Sequence, residues 1–285
     1  MTTTLPSTLI VHTQQGVRTI TLHRPQVRNA MSAQMVQELL SALAQAEADA
    51  TLGEVRALVL RGAEGHFCAG GDIGDMAQAR MKLAQLDADR GTSAAALVPP
   101  NPVAQLNAAF GHLCLAFART PLPVVAVVEG TVMGGGFGLA CVADVVIAHA
   151  NTQFRLPETS LGIIPAQIAP FLVERLGYAE AKRLAVTGAR VGATEALAIR
   201  LVHEVQPDEP ALADALARTL AQILACGPQA IATTKKLLAH ARFTPPDQLI
   251  DEAANLFARA VLSDEGQEGT SAFMQKRAPR WVPQA

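Results

Sequence analysis

The sequence feature that most constrains the fold is an apolar run that leads into a cluster of glycines. Val124–Val128 is uninterrupted and apolar, which predicts a strand buried on both faces of a sheet. It runs on into Gly134–Gly138, after which Leu139–Cys141 is predicted to be helical and Val145–Ile147 to form another strand. A succession of strand, glycine loop, helix and strand predicts an α/β architecture.

A second strand followed by a glycine-rich loop precedes this one in the chain. Val55–Leu60 predicts a buried strand, and Arg61–Asp72 forms the loop after it. Nearer the start, Leu9–Val11 and Val17–Leu22 predict a β-hairpin, and Ser32 is a candidate N-cap for the next helix. Strands therefore dominate the first two thirds of the chain.

The last third is predicted to be helical from Pro170 onward. In contrast, the helical pattern weakens over Met76–Asn107, where we expect a functional lid or a mobile segment. The predicted helices of the last third are Pro170–Leu176, Ala179–Thr187, Thr194–Ile199, Ala211–Ala225, Pro228–Ala241 and Gln248–Leu262.

Composition restricts the classes of protein to which the chain can belong. Half of the 285 residues are hydrophobic and 17% are charged, which excludes a disordered chain. A net charge of −2 provides no basic field for nucleic acid or for an anionic membrane. The four cysteines are scattered, which favours buried free thiols. The start lacks a signal pattern and no apolar run is long enough for a membrane span, so we expect a cytoplasmic protein.

Few groups remain that are suited to chemistry. The sequence has no P-loop, no zinc motif and no serine nucleophile elbow. One backbone N–H from each glycine loop would bind a developing oxyanion, although each loop alone is better explained as a tight turn. Glu158 stands between apolar neighbours. A carboxylate there would have a raised pKa and carry a proton, although Glu158 taken by itself is better explained as an ordinary acidic residue near a helix start.

Five segments of the chain together carry a family resemblance. They are HRPQVRNAMS (His23–Ser32), HFCAGGDI (His66–Ile73), PVVAVVEGTVMGGGFGLACVADVVIA (Pro123–Ala148), FRLPETSLGIIP (Phe154–Pro165) and EGTSAFMQKR (Glu268–Arg277). In this order they resemble the crotonase superfamily of enoyl-CoA hydratases and isomerases. The resemblance implies a spiral core of ββα units with an acyl-CoA site over residues 1–205. It also implies a C-terminal helical oligomerisation region over residues 206–285, forming trimers that often pair into hexamers.

The resemblance also assigns roles to individual positions. It implies that the backbone N–H groups of Gly71 and Gly135 bind the oxyanion and that Glu158 is the catalytic carboxylate. Coenzyme A enters as part of the thioester substrate, and we expect no metal and no other cofactor. The positions at which the family contacts coenzyme A are Arg28, Ala30, Ala69, Gly70, Gly71, Asp72, Ile73 and Gly135 and, from a neighbouring subunit, Phe273 and Lys276.

Gly138 departs from the family pattern, because typical hydratases have a second glutamate at this position. An isomerase that moves a proton between C2 and C4 with a single glutamate is one alternative, and a CoA-binding member without catalysis is another. VEGTVMGGGFGLAC and LPETSLGIIPAQIAPF most resemble the glutaconyl-CoA hydratase branch, which acts on substrates such as isohexenylglutaconyl-CoA and also has glycine here. We therefore predict hydration of a branched, carboxylate-bearing enoyl-CoA. Glu129 and Gln167 are candidates to replace the missing carboxylate, although surface or packing roles fit them too.

Overall fold

The two apolar runs form adjacent strands at the centre of a six-stranded sheet. A computed structural model describes residues 7–90 and 101–283. The strands, in spatial order, are β1 (Leu9–Gln14), β2 (Val17–Leu22), β3 (Ala57–Gly62), β4 (Val124–Val128), β6 (Val145–His149) and β9 (Glu204–Gln206). The β1–β2 hairpin is antiparallel and every other pair is parallel. The carboxyl ends of β3 and β4 therefore lie at the same edge, and so do the glycine loops that follow them.

A smaller sheet continues from β4 and extends this edge. Its strands are β5 (Thr131–Met133), β7 (Gln153–Arg155) and β8 (Arg190–Gly192), with β7 in the middle. β5 and β7 are parallel, whereas β7 and β8 are antiparallel. A bridge between Cys68 and Val132 ties the loop after β3 to β5.

Helices cover both faces of the main sheet. They are α1 (Ala33–Thr51), α2 (Ile73–Arg90), α3 (Pro102–Arg119), α4 (Gly135–Val142), α5 (Ala169–Thr187), α6 (Ala193–Ala198), α7 (Glu209–Ala225), α8 (Pro228–Ala241), α9 (Pro246–Leu262) and α10 (Asp264–Met274). Ser32 caps α1 as predicted, because its hydroxyl accepts the N–H of Met35 at 3.2 Å.

The core lies on both sides of β3, as expected for a strand with an uninterrupted apolar sequence. Leu58 and Leu60 belong to the larger apolar cluster, which includes Leu39 of α1, whereas Val59 faces the opposite cluster with Leu212 of α7. No helix in the described ranges combines the length and the apolar character needed to cross a membrane. The α/β fold predicted from the sequence is thus the fold observed.

The described part of Met76–Asn107 is mostly helical although its helical pattern is weak, and a lid or mobile role for it stays a prediction. α2 extends to Arg90 and α3 begins at Pro102, so most of this segment is helical, while residues 91–100 lie outside the described residues. None of the described side chains of α2 is fully buried, and a helix without a buried stripe gives little apolar periodicity. The division of the chain between residues 205 and 206 stays a prediction.

The helices predicted for the last third are present. Gly177 interrupts α5 with φ +73°, which accounts for the two separate helices predicted there. α10 was not predicted as a helix, although the family-like segment Glu268–Arg277 overlaps it.

Candidate active site

The loops after β3 and β4 run beside each other. Cys68 donates its N–H to the carbonyl of Thr131 (3.0 Å) and its carbonyl accepts the N–H of Met133 (2.9 Å). Beyond this pair both segments turn at glycines, with φ of +100° at Gly70 and +48° at Gly134, where a side chain would be strained. A Cβ at Gly134 would lie 3.5 Å from the Cα of Gly70, so the two backbones pass in close contact.

Gly71 and Gly135 follow these turns and line the same cavity. The residues around Gly71 are held by Met31, which donates to the carbonyl of Gly70 (2.7 Å) and accepts from the N–H of Asp72 (2.9 Å). The N–H of Gly71 has no acceptor among the described residues. Gly135 is the first residue of α4, so its N–H is one of those that a helix leaves unpaired at its positive end. Two adjacent loops therefore each bring a glycine with an unpaired backbone N–H to the wall of the same cavity.

Glu158 reaches the same place from a third segment. It opens a 3-10 turn, Glu158–Leu161, in which its carbonyl accepts the N–H of Ile163 (3.0 Å). Its Oε1 lies 2.9 Å from the point that a Cβ on Gly134 would occupy, so the carboxylate lies against the glycine loop. Its Oε2 is buried and has no hydrogen-bond partner in the parts of the chain that are described.

The environment of Glu158 favours the protonated form of its carboxyl group. Burial raises the pKa of Glu158 above its ordinary value, and a hydrogen bond from its own backbone N–H opposes this only in part. A carboxyl group with a raised pKa gives up and accepts protons closer to neutral pH, which suits a general acid or base.

A cavity of about 630 Å³ extends from these groups between α1, α2, α3 and the loop over residues 162–168. Its size is typical of small-molecule sites. Apolar side chains supply much of its wall, among them Val36, Met76, Phe110, Ile163 and Ile168. The polar and charged side chains that line it are Ser32, Asp72, Asp75, Arg80, Asn101, Asn107, Glu158 and Gln167.

Position 138 has no room for a side chain. A Cβ on Gly138 would overlap the Cγ2 of Ile168 and lie 3.2 Å from its Cβ. On another side it would lie 3.6 Å from Cε1 of Phe110. Ile168 and Phe110 therefore occupy the space that a second glutamate would need.

Several positions expected to contact coenzyme A adjoin the oxyanion loop. The carbonyl of Arg28 accepts the N–H of Ala69 at 3.0 Å. Arg24 Nη1 donates to the carbonyl of Ala30 and to the carboxylate of Asp72, both at 2.7 Å. The side chain of Asp72 is thus already engaged within the protein. Of the coenzyme A positions, Gly71, Asp72 and Gly135 line the cavity.

Three other expected contacts are exposed and lie outside the lining of the cavity. Ile73 is 75% exposed and Phe273 is 85% exposed. Lys276 is also exposed and has a left-handed φ of +53° just after α10. None of the three lines the cavity. A contribution of Phe273 and Lys276 to the site of a neighbouring subunit stays a prediction.

Asp75, Arg80 and Asn107 were not predicted as site residues. All three lie in α2 or α3, within or next to the segment in which the helical pattern of the sequence weakens. The available signal was a spacing of four residues between Met76 and Arg80, which places both on one face of a helix.

The two candidates to replace the missing carboxylate have different positions. Gln167 lines the cavity. Glu129 does not, and its Oε2 lies 3.4 Å from Nη2 of Arg61. Burial, together with the neighbouring carboxylate of Glu209, raises the pKa of Glu129. Glu129 is therefore not placed to act with Glu158. Among the described residues, no group of three or more His, Cys, Asp or Glu side chains is suited to hold a metal ion.

Comparison with known proteins identifies the family of this chain. The sequence model of the family described as enoyl-CoA hydratase/isomerase matches residues 17–220. The chain belongs to the enoyl-CoA hydratase/isomerase family. The superfamily resemblance noted in the sequence is thereby confirmed.

Solved structures of this family share the fold over almost the whole chain. AtuE of Pseudomonas aeruginosa has 51% identity and a TM-score of 0.88, covering 97% of this chain and all (100%) of AtuE. An enoyl-CoA hydratase/isomerase from Marinobacter aquaeolei has 47% identity and a TM-score of 0.89, covering 97% of this chain and 99% of the other. Among curated relatives, 2,3-dehydroadipyl-CoA hydratase of Escherichia coli (strain K12) is 30% identical, covering 96% of this chain and 98% of that protein.

Proposed function

We propose that this family member is a hydratase, which adds water across the C2–C3 double bond of an enoyl-CoA thioester. The observation that carries the proposal is the buried, unpartnered Oε2 of Glu158 in a cavity that also holds the free N–H groups of Gly71 and Gly135. These are the two functions that the reaction needs, namely a proton carrier and a site for the developing oxyanion.

The mechanism follows from this arrangement. The N–H groups of Gly71 and Gly135 bind the thioester oxygen and withdraw electrons from C3. Water attacks C3 while Glu158 takes one of its protons, and the C2–C3 π electrons move to the thioester oxygen as an enolate. Glu158 then gives the proton to C2, which restores the thioester. Removal of one oxyanion donor typically raises such a barrier by about 3–4 kcal/mol.

For the acyl group we propose a branched, carboxylate-bearing chain of the glutaconyl type, such as isohexenylglutaconyl. Arg80 supports this, because it lines the cavity and has no ion-pair partner among the described residues. A guanidinium group recognises a carboxylate through two parallel hydrogen bonds. A relative named for 2,3-dehydroadipyl-CoA, whose acyl chain ends in a carboxylate, agrees with a substrate of this class.

The alternative is an enoyl-CoA isomerase, and the closed position 138 favours it. Without a second glutamate at position 138, Glu158 would move a proton between C2 and C4 without any addition of water. Incubation of an enoyl-CoA in ¹⁸O-labelled water separates the two, because hydration adds the mass of a labelled water and isomerisation does not.

The activity itself is tested with Glu158→Gln on glutaconyl-type and neutral enoyl-CoA thioesters. We expect hydration to fall by a factor of about 100 or more, while acyl-CoA binding measured by calorimetry is retained. Glu54→Gln is the matched control, because Glu54 is exposed in the turn before β3. Wild-type turnover in Glu158→Gln contradicts the mechanism. Tight binding without turnover by the wild type on any of these thioesters favours the CoA-binding alternative.

We further propose that the chain forms a homotrimer or a dimer of trimers through its C-terminal helices. The support is a set of large apolar side chains left exposed there, with Phe243 at 80%, Phe257 at 72% and Phe273 at 85%. Light scattering on the purified protein gives the mass, and a monomer at micromolar concentration contradicts the proposal.

A further inference from the structure

The cavity contains a polar group that the mechanism above leaves unused. A water that attacks carbon keeps a lone pair for the new bond and points its two O–H groups at acceptors. Glu158 is one such acceptor. Position 138 supplies no other, because Ile168 fills its space.

Gln167 lines the same cavity, immediately before Ile168. Its Nε2 donates to Oδ1 of Asn107 at 2.9 Å, which fixes the orientation of the amide. The Oε1 then lies over Gly111 of α3, where a Cβ would overlap it. Oε1 accepts no hydrogen bond in the described part of the chain, so its lone pairs remain free to accept one from a water or a ligand.

We propose that Gln167 binds the attacking water through Oε1, opposite Glu158, and that Asn107 is the positioning residue for its amide. This inference rests on the proposed hydratase function. Gln167 transfers no proton, because the carboxamide accepts the second O–H of the water only as a hydrogen bond, and Glu158 alone carries the proton from water to C2.

A neutral amide in this position also has an electrostatic consequence. A second carboxylate would repel the charge of Glu158 and raise the pKa of that group further. With Gln167 the other charged side chains lining the cavity are those of Asp72, Asp75 and Arg80, and Asp72 is paired with Arg24. Glu158 is the carboxyl group to which the mechanism assigns the proton transfer, so we expect the acid limb of the pH profile to follow Glu158.

The test compares Gln167→Met with Gln167→Glu and with the control Gln105→Met, which changes an exposed side chain of α3 outside the cavity. We expect the Met variant to lose about tenfold or more in kcat for hydration, with KM for the enoyl-CoA within about twofold of wild type. Gln167→Glu keeps an acceptor, so it should retain more kcat than the Met variant, with an acid limb displaced to higher pH. Gly111→Ala should reproduce the loss of kcat, because it displaces the amide without removing any polar group.

The outcomes separate this inference from the function on which it rests. If the wild type hydrates the substrate and Gln167→Met does so at the same rate, the role of Gln167 is overturned and the hydratase function stands. A Glu variant as slow as the Met variant, with its acid limb unmoved, also overturns it. Absence of hydration by the wild type overturns the proposed function and this inference with it.

Discussion

The close packing of Ile168 against Gly138 predicts that the effect of Gly138→Ala on stability depends on which residue is present at position 168. Gly138 lies within α4, where alanine is a better helix former than glycine by about 1 kcal/mol. Against this, the new methyl group would overlap the Cγ2 of Ile168, a side chain that is 3% exposed and cannot move into solvent freely. Overpacking of a core typically costs about 1–3 kcal/mol. We therefore expect Gly138→Ala to be neutral or to destabilise the protein by up to about 2 kcal/mol, the difference of these two terms.

Truncation of the opposing side chain should reverse that effect. Ile168→Ala alone should cost about 2–5 kcal/mol, because it leaves a cavity beside α4. In this background the overlap with Cγ2 is gone, the Cβ of residue 168 remains 3.2 Å away, and the new methyl group refills part of the space. Gly138→Ala should then stabilise the protein by up to about 1 kcal/mol, the ordinary gain in helix propensity.

A double-mutant cycle measures this dependence. It compares the free energies of unfolding in urea of the wild type, both single variants and the double variant. A coupling free energy of about 1 kcal/mol or more, with the double variant more stable than additivity predicts, is the expected result. An equal effect of Gly138→Ala in both backgrounds would refute the argument that Ile168 closes position 138.

The remaining predictions concern two charged groups of the cavity. Arg80→Met should raise KM for a carboxylate-bearing enoyl-CoA by about tenfold and leave KM for an enoyl-CoA with a neutral chain unchanged. The control is Lys82→Met, which changes an exposed side chain of α2 and should alter neither KM. An increase in KM shared by both substrates would contradict the role of Arg80. Because burial raises the pKa of Glu158 in the folded protein, the wild type loses stability as the pH rises through that pKa, and Glu158→Gln should be more stable than wild type at neutral pH but not at acid pH. Unfolding curves at both pH values check this, and an advantage that persists below the ordinary pKa of a carboxyl group would contradict it.

The sequence predicted elements whose signals are local and missed elements whose signals are weak or depend on distant segments. Val124–Val128 and Pro228–Ala241 have the predicted bounds, since the first is wholly apolar and the second begins at a proline in the first turn. α2 carries no fully buried side chain among those described, so its apolar pattern is weak. β5 and β7 have three residues each and exist through pairing with each other, about twenty residues apart in the chain, which no local pattern encodes.

The same distinction holds for the cavity. The sequence identified Gly71, Gly135 and Glu158 as candidate site residues because each lies in a short segment that resembles a family motif. Arg80 and Gln167 line the cavity only because α2 and the loop before α5 pack toward the glycine loops. Such packing depends on contacts between distant segments, so the sequence offered Gln167 only as one of two candidates and did not offer Arg80.

Gly138 and Gly111 are two parts of one packing arrangement. Phe110 and Ile168 fill the space next to Gly138, while their neighbours in the chain, Gly111 and Gln167, pack against each other. A glutamate at position 138 would therefore have to displace the side chain of Ile168, the residue that follows Gln167 in the chain. We expect Gly138→Glu alone to create no two-carboxylate site, because Ile168 still overlaps the new side chain. A change of the acid–base machinery in this cavity requires coordinated substitutions at both positions 138 and 168.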